Sequence, residues 1–434
     1  MGPLEQAAVF FERLSAFSAD LGLTLSLPKS SLLWASDLQV PGHVETWANT
    51  HHIPLLRGAV PLLGSMVGLD PILRRQSASD RVRSMEPFFQ ALCHPLFTTQ
   101  VTFLLLRVCA LPKLNFTCRT LPSRLTSAAC VAFDQLVLTA AMTTLRLTKD
   151  LLSAEALTLL TLPLRHGGFG LCSMVVTAPA AFLGSLAAAA RHLPSLHLAA
   201  TPLTEEIEDA LSHCQVPGLK LPPAIPFLAS AARQPPRSLQ RDITSAIEDH
   251  LSRSVGKTVA MSSHLLSLRQ AGASSWLVAT PSRPELMLSN DDFRLAARLR
   301  LRLPPSSSTF STHCSCGDEL LPDHFMVCKY LRRRSVTSRH AALLQLLVSF
   351  LREAGLQPIP ELRTEDGERP DLRLSLDGVP SCLISQLPIP LCPPLSARIS
   401  PPARLGQQRD GNMRRRTNIT SWLRWKAPRS FPWC

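Results

Sequence analysis

Thirty-seven prolines spread through 434 residues set the grain of this chain. A proline lacks a backbone N–H and holds φ near one value, so neither a helix interior nor a central strand accepts it cheaply. Many short elements joined by proline-punctuated loops are therefore predicted, and long regular strands are not. Hydrophobic residues make up 45% of the chain, enough to bury a sizeable core, and the length favours two or three domains over one.

Forty-five basic against 32 acidic side chains leave a net charge of +13, which suits a surface that meets phosphate or an acidic membrane. The excess is uneven. Residues 391–434 carry eight arginines and one lysine against the single acid Asp410, and Arg414, Arg415 and Arg416 are its densest point. Such a tail reads either as a solvated arm or as a nucleic-acid contact. The opening Met1-Gly-Pro-Leu-Glu-Gln has no basic segment followed by an apolar core, so an intracellular protein, nuclear or cytoplasmic and not secreted, is expected. The nearest approach to a membrane span, Met174 to Ala190, is alanine-rich and contains Pro179, which reads as a buried helix with no membrane partner.

Along the chain, Phe10, Leu14, Phe17 and Leu21 place an apolar stripe on one helical face, with Gly22 as its stop. Leu23 to Trp34 and Leu62 to Gly68 read as short strands, the second as a bent hairpin. From about residue 76 to 200 the pattern is helical. Candidates are Arg81–Phe97, broken or kinked at Pro87, then Leu125–Leu147 and Ala178–Arg191, with Pro112, Pro122 and Pro163 as separators. Residues 201–240, with Pro222-Pro223 and Pro235-Pro236, read as a linker or loose connection before a second helical stretch. A helix near Ser338–Ala354 and a hairpin signalled by Leu372 to Gly378 give an α/β terminal unit.

Most of the twelve cysteines are scattered without a disulfide framework, but three are not. Cys314, Cys316, His324 and Cys328 have the spacing C-x-C-x7-H-x3-C, which offers three thiolates and one imidazole to a single tetrahedral ion. Gly317 lets the chain turn away after the second thiolate. Four protein ligands leave no open position for water, so zinc here would be structural rather than hydrolytic. His313 is a spare neighbour. Arg332, Arg333 and Arg334 follow directly, either as a cationic ridge for phosphate or as a solvated charge run.

Read in order, several segments resemble the non-LTR retrotransposon polyproteins that carry a zinc knuckle and a restriction-like endonuclease after a reverse transcriptase. Leu21 to Ser30, with Lys29, looks like the segment that follows the polymerase active-site hairpin. Leu62 to Gly68 is similar to the palm hairpin near the primer grip, and Leu111 to Pro122 to the start of the thumb. Leu162-Pro-Leu-Arg-His-Gly-Gly-Phe-Gly-Leu171 matches a conspicuous glycine-rich motif of these elements. The resemblance implies a mixed α/β, mostly helical chain with a partial palm over 1–75, a helical thumb and connection over 76–200 and a linker with a second helical region over 201–305. A CCHC zinc knuckle over 306–335 and a degenerate endonuclease domain with a basic tail over 336–434 complete it. It implies RNA and DNA as partners, contacted through Lys29, Arg332 to Arg334 and Arg414 to Arg416.

The same resemblance places the polymerase's aromatic-x-Asp-Asp pair, which holds two Mg²⁺ ions, before Met1. The only Asp-Asp present is Asp291-Asp292, in a setting that reads as helix capping. In the endonuclease pattern Glu361 and Arg369-Pro-Asp371 match the first acidic positions, but Ser385 stands where the second acid of the strand pair belongs and Met413 where the lysine belongs. A nucleic-acid-binding fragment without polymerase activity is the leading expectation. A residual Mg²⁺-dependent nuclease using Glu361 and Asp371, and a helical interaction protein braced by zinc, are the alternatives.

Overall fold

The N-terminal helix α1, Leu4–Asp20, ends as expected at Gly22, whose φ of +70° reverses the chain. The computed structural model describes residues 4–34, 39–192, 201–233, 238–304, 314, 316–318, 324, 328–360, 372–376 and 379–384, and divides into two units, Met1–Phe325 and Met326–Cys434. After α1 the strand expected over Leu23–Trp34 shrinks to β1, Leu32–Trp34, because Pro28 lies in a tight turn over Leu27–Lys29 and cannot donate to a ladder. Beyond α2, Gly42–Thr50, strand β2, Leu55–Arg57, pairs parallel with β1. The bent hairpin is present as β3, Ala59–Leu62, against β4, Ser65–Gly68. Leu63 and Gly64, at φ +50° and +83°, form its two-residue turn of the mirror-image type that matches strand twist.

Helices then dominate. Asp70 caps α3, Pro71–Arg83, by accepting from the Ile72 and Leu73 N–H groups at 2.7 and 3.1 Å. The break expected at Pro87 is real, since α4, Glu86–Leu92, begins there. Pro112, in contrast, separates nothing. Helix α5, Thr99–Leu105, passes through a π turn at Leu106–Ala110 into α6, Pro112–Thr120, where the Leu111 N–H reaches back five residues to the Leu106 carbonyl at 3.2 Å. The widened turn makes room for the proline ring that a regular helix would reject.

Two cores follow. In the first, α7, Ser123–Leu145, and α8, Ala154–Thr161, pack with α3 to α6 and with α13, Val259–Leu268, α14, Ser275–Val278, and α15, Asn290–Arg300, around Phe103, Phe133, Phe169 and Phe293, all fully buried. In the second, Phe182 and Leu183 of α9, Met174–Ala189, meet Ile207 of α10, Thr201–His213, Phe227 of α11, Ala224–Arg233, and Ile243 of α12, Leu239–Val255. Residues 201–240 thus carry helices and a core rather than a simple linker. Several of their prolines sit where helices begin: Pro202 opens α10, Pro222 and Pro223 precede α11, and Pro226 lies in its first turn, while Pro235 and Pro236 lie outside the described residues.

Helix α9 faces both cores, which explains its apolar surface on every side. Three stretches, Thr99–Thr120, Ser123–Leu145 and Met174–His192, are long and apolar enough to cross a membrane, and in the fold 44%, 44% and 50% of their most apolar windows are buried.

The Leu162–Leu171 motif is the hub of the first core. Gly168 presses so close to the Leu162 carbonyl that a Cβ there would lie 2.0 Å from its oxygen. Phe169, beside it, is wholly buried and stacks obliquely on Phe103 and edgewise on Trp276. Arg300 closes the turn, donating to the Gly168 and Ala273 carbonyls at 3.0 and 3.2 Å and to the Ser274 hydroxyl at 2.7 Å. Burial lowers its pKa to about 10.

The second unit begins with α16, Lys329–Glu353, nine residues earlier than the sequence pattern suggests, and Gly355 at φ +80° ends it as expected. Strands β5, Gln357–Pro360, β6, Leu372–Leu376, and β7, Val379–Ile384, form an antiparallel sheet in that order. Leu344 and Val348 of α16 bury against Leu372. The expected terminal hairpin is β6 with β7, its Asp377-Gly378 turn lying outside the described residues. The whole is mixed α/β and mostly helical.

Candidate metal centre

The quartet selected by spacing converges. The ligand atoms of Cys314, Cys316, His324 and Cys328 all lie within 4.8 Å of one another, with Cys316 Sγ 3.2 Å from His324 Nε2. Around a tetrahedral zinc with bonds of about 2.0 to 2.3 Å, such atoms stand about 3.4 to 3.8 Å apart. The quartet therefore needs to contract by only about an ångström to close on an ion. Three sulfurs and one imidazole suit a metal such as zinc, and a set of four protein ligands leaves no coordination position for a reacting water.

Local backbone chemistry brings the ligands together. The Gly317 N–H bonds the Cys314 carbonyl at 2.9 Å and the Cys314 N–H bonds the Asp318 carbonyl at 2.8 Å, so the two thiols share one tight loop. Gly317 sits at φ +93°, a conformation that side chains resist, as its position after the second cysteine suggested. His324 and Cys328 are 6% and 3% exposed. Cys328 is the N-cap of α16, so the last ligand is tied directly to the start of that helix.

Asp318, which the spacing alone did not single out, adds a carboxylate beside the centre. One of its oxygens is 3.9 Å from His324 Nδ1 and 3.5 Å from Cys316 Sγ. That places a negative charge beside the imidazole and one thiol without a hydrogen bond to the imidazole at this distance. The signal was present as an acid directly after a Cys-Gly turn.

Lys29 is exposed at the end of the Leu27–Lys29 turn. Arg332, Arg333 and Arg334 lie on the first turns of α16 by their backbone, four to six residues past Cys328. Glu361, Asp371, Ser385, Met413, Arg414, Arg415 and Arg416 lie outside the described residues. Asp291 and Asp292 lie at a helix start, as expected: both stand in the first turn of α15, whose N-cap Ser289 accepts from the Asp292 N–H at 3.1 Å and donates to its carboxylate at 2.6 Å.

Part of the cationic excess faces inward. Arg294 donates to the Thr144 carbonyl, Arg298 to the Pro304 carbonyl, and Arg107 to the Leu277 carbonyl at 2.6 Å. Burial lowers the pKa values of Arg107 and Arg298. These side chains tie α15 to α7 and to the segment that follows it, and the π turn to Leu277. Comparison with known protein families and with characterised proteins finds no match to this chain.

Proposed function

We propose that this chain is a nucleic-acid-binding fragment of retroelement descent, in which a structural zinc on Cys314, Cys316, His324 and Cys328 anchors a basic segment against phosphate. The observation that carries the reading is the convergent quartet continuing, through Cys328, into a helix whose first turns hold Arg332, Arg333 and Arg334. A small metal-closed loop has too little apolar surface to order itself, so the ion would fix the direction in which the following helix leaves. Three guanidinium groups in sequence there would offer the phosphate backbone a dense cationic edge without selecting a base sequence.

The net charge of +13 and the order of the polymerase-like segments support the same reading. No polymerase step is assigned, because the one Asp-Asp pair lies in the first turn of α15 behind its Ser289 cap. Zinc is the ion proposed; Mg²⁺ enters only with a residual nuclease at Glu361 and Asp371.

The test is fluorescence anisotropy of a labelled single-stranded RNA, and of the DNA of the same sequence, titrated with the full chain at several salt concentrations. Affinity should fall as salt rises. Changing Arg332, Arg333 and Arg334 together to alanine should flatten the logarithmic salt slope by about two and weaken binding roughly tenfold or more at low salt. Binding indifferent to salt and to the triple substitution would contradict the proposal and favour a helical protein-interaction module.

A further inference from the structure

The outer face of α1 is built for a partner that the rest of its own unit does not supply. Ala7, Phe10, Leu14, Phe17 and Leu21 follow one another at alternating steps of three and four residues, the spacing of a two-helix seam. Phe10, Phe17 and Leu21 remain 66%, 62% and 59% exposed, and Leu14 37%. The helix is held to its own fold by a different flank. Phe11 meets Trp47 edge-on at 5.7 Å and His51 at 5.5 Å, and Ser18 is buried. Docking therefore consumes one side of α1 and leaves the heptad stripe beside it uncovered.

We propose that a second copy of this chain covers the stripe, with the two α1 helices antiparallel about a twofold axis. Charge decides the occupant and the direction. On the flank of the stripe away from Phe11 lie Arg13 and Asp20, both exposed, and no ion pair joins either of them to another described residue. When Leu14 is set against Phe17 of the second copy and Phe10 against its Leu21, Arg13 of each copy falls opposite Asp20 of the other. The twofold axis makes that pair twice. A parallel pairing instead lines up like positions and loses the complementarity. The other flank carries Phe11 and Ser18, already occupied, so the charged flank is the free one. A seam of this length sits at the small end of specific interfaces, which places dimerisation in the micromolar range.

The test is the weight-average mass of the full chain by sedimentation equilibrium across a micromolar concentration series. Monomer at low and dimer at high concentration is expected. Phe17→Glu should abolish the dimer over that range, with circular dichroism unchanged because Phe17 is exposed. Arg13→Asp or Asp20→Arg alone should weaken dimerisation about tenfold, since each creates two like-charge pairs, and the double exchange should restore it. A monomer at every concentration, a dimer indifferent to Phe17→Glu, or a double exchange no better than the singles would each overturn the proposal.

Discussion

The Leu162–Leu171 turn and the Cys314–Asp318 loop are both bent at a glycine, yet they are held by opposite means. The first is gripped from all sides: Phe169 sits among Phe103, Trp276 and the Arg300 guanidinium, and Gly168 touches the Leu162 carbonyl. The second has two short backbone bonds, a neighbouring carboxylate and four soft ligands aimed at one another. Burial can order a turn that lies inside a core, whereas a turn without that core needs a chemical centre. The difference explains why a glycine-rich motif of low chemical content and a cysteine motif of high chemical content are both informative in one chain.

The comparison breaks most visibly on the packed side. Phe169→Ala should cost about 3 to 5 kcal/mol, and Gly168→Ala roughly 3 kcal/mol, because neither the Leu162 backbone nor the surrounding core can move aside. Thermal and denaturant unfolding measure both, and the bound-zinc content of the folded fraction should not change. A Gly168→Ala chain as stable as the parent would show that the turn is not the constraint described.

A smaller effect sharpens the same contrast through pH. Burial holds the His166 imidazole, in the same turn, below its usual range; the charges of Arg165 and Arg269 add to this and Asp249, 3.3 Å from Nε2, opposes it. The unfolded chain takes up this proton near pH 6.5 and the folded chain only at lower pH, so His166 weakens the fold progressively as pH falls below 6.5. His166→Gln should lose that part of the acid sensitivity while keeping the turn. Parallel stability curves for the two proteins between pH 7 and the acid limit would contradict it.

Local chemistry explains which features were legible in the sequence. The hairpin at Leu62–Gly68, the break at Pro87, the helix start at Asp291-Asp292 and the metal quartet were readable because each depends on residues within one short segment. The π turn before Pro112 was not, since a proline stops a helix unless the preceding turn widens, and nothing local announces the widening. The helices of 201–240 were hidden by counting prolines without asking whether each stands at a helix start. Nothing local marks Arg300 for burial, and only the fold shows it turned inward onto carbonyl oxygens. The outer stripe of α1 was visible as a stripe, but its exposure was not, because helical periodicity marks an apolar face without naming what covers it.

The metal side of the comparison is tested most directly by measuring zinc in the purified full chain by inductively coupled plasma mass spectrometry, beside Cys316→Ser and Cys328→Ser. About one zinc per chain is expected in the parent, with most of it lost in either variant while the helical core unfolds at an unchanged temperature. A parent chain with zinc near zero after purification without chelators, or variants that retain it fully, would contradict the assignment of Cys314, Cys316, His324 and Cys328 as one metal centre.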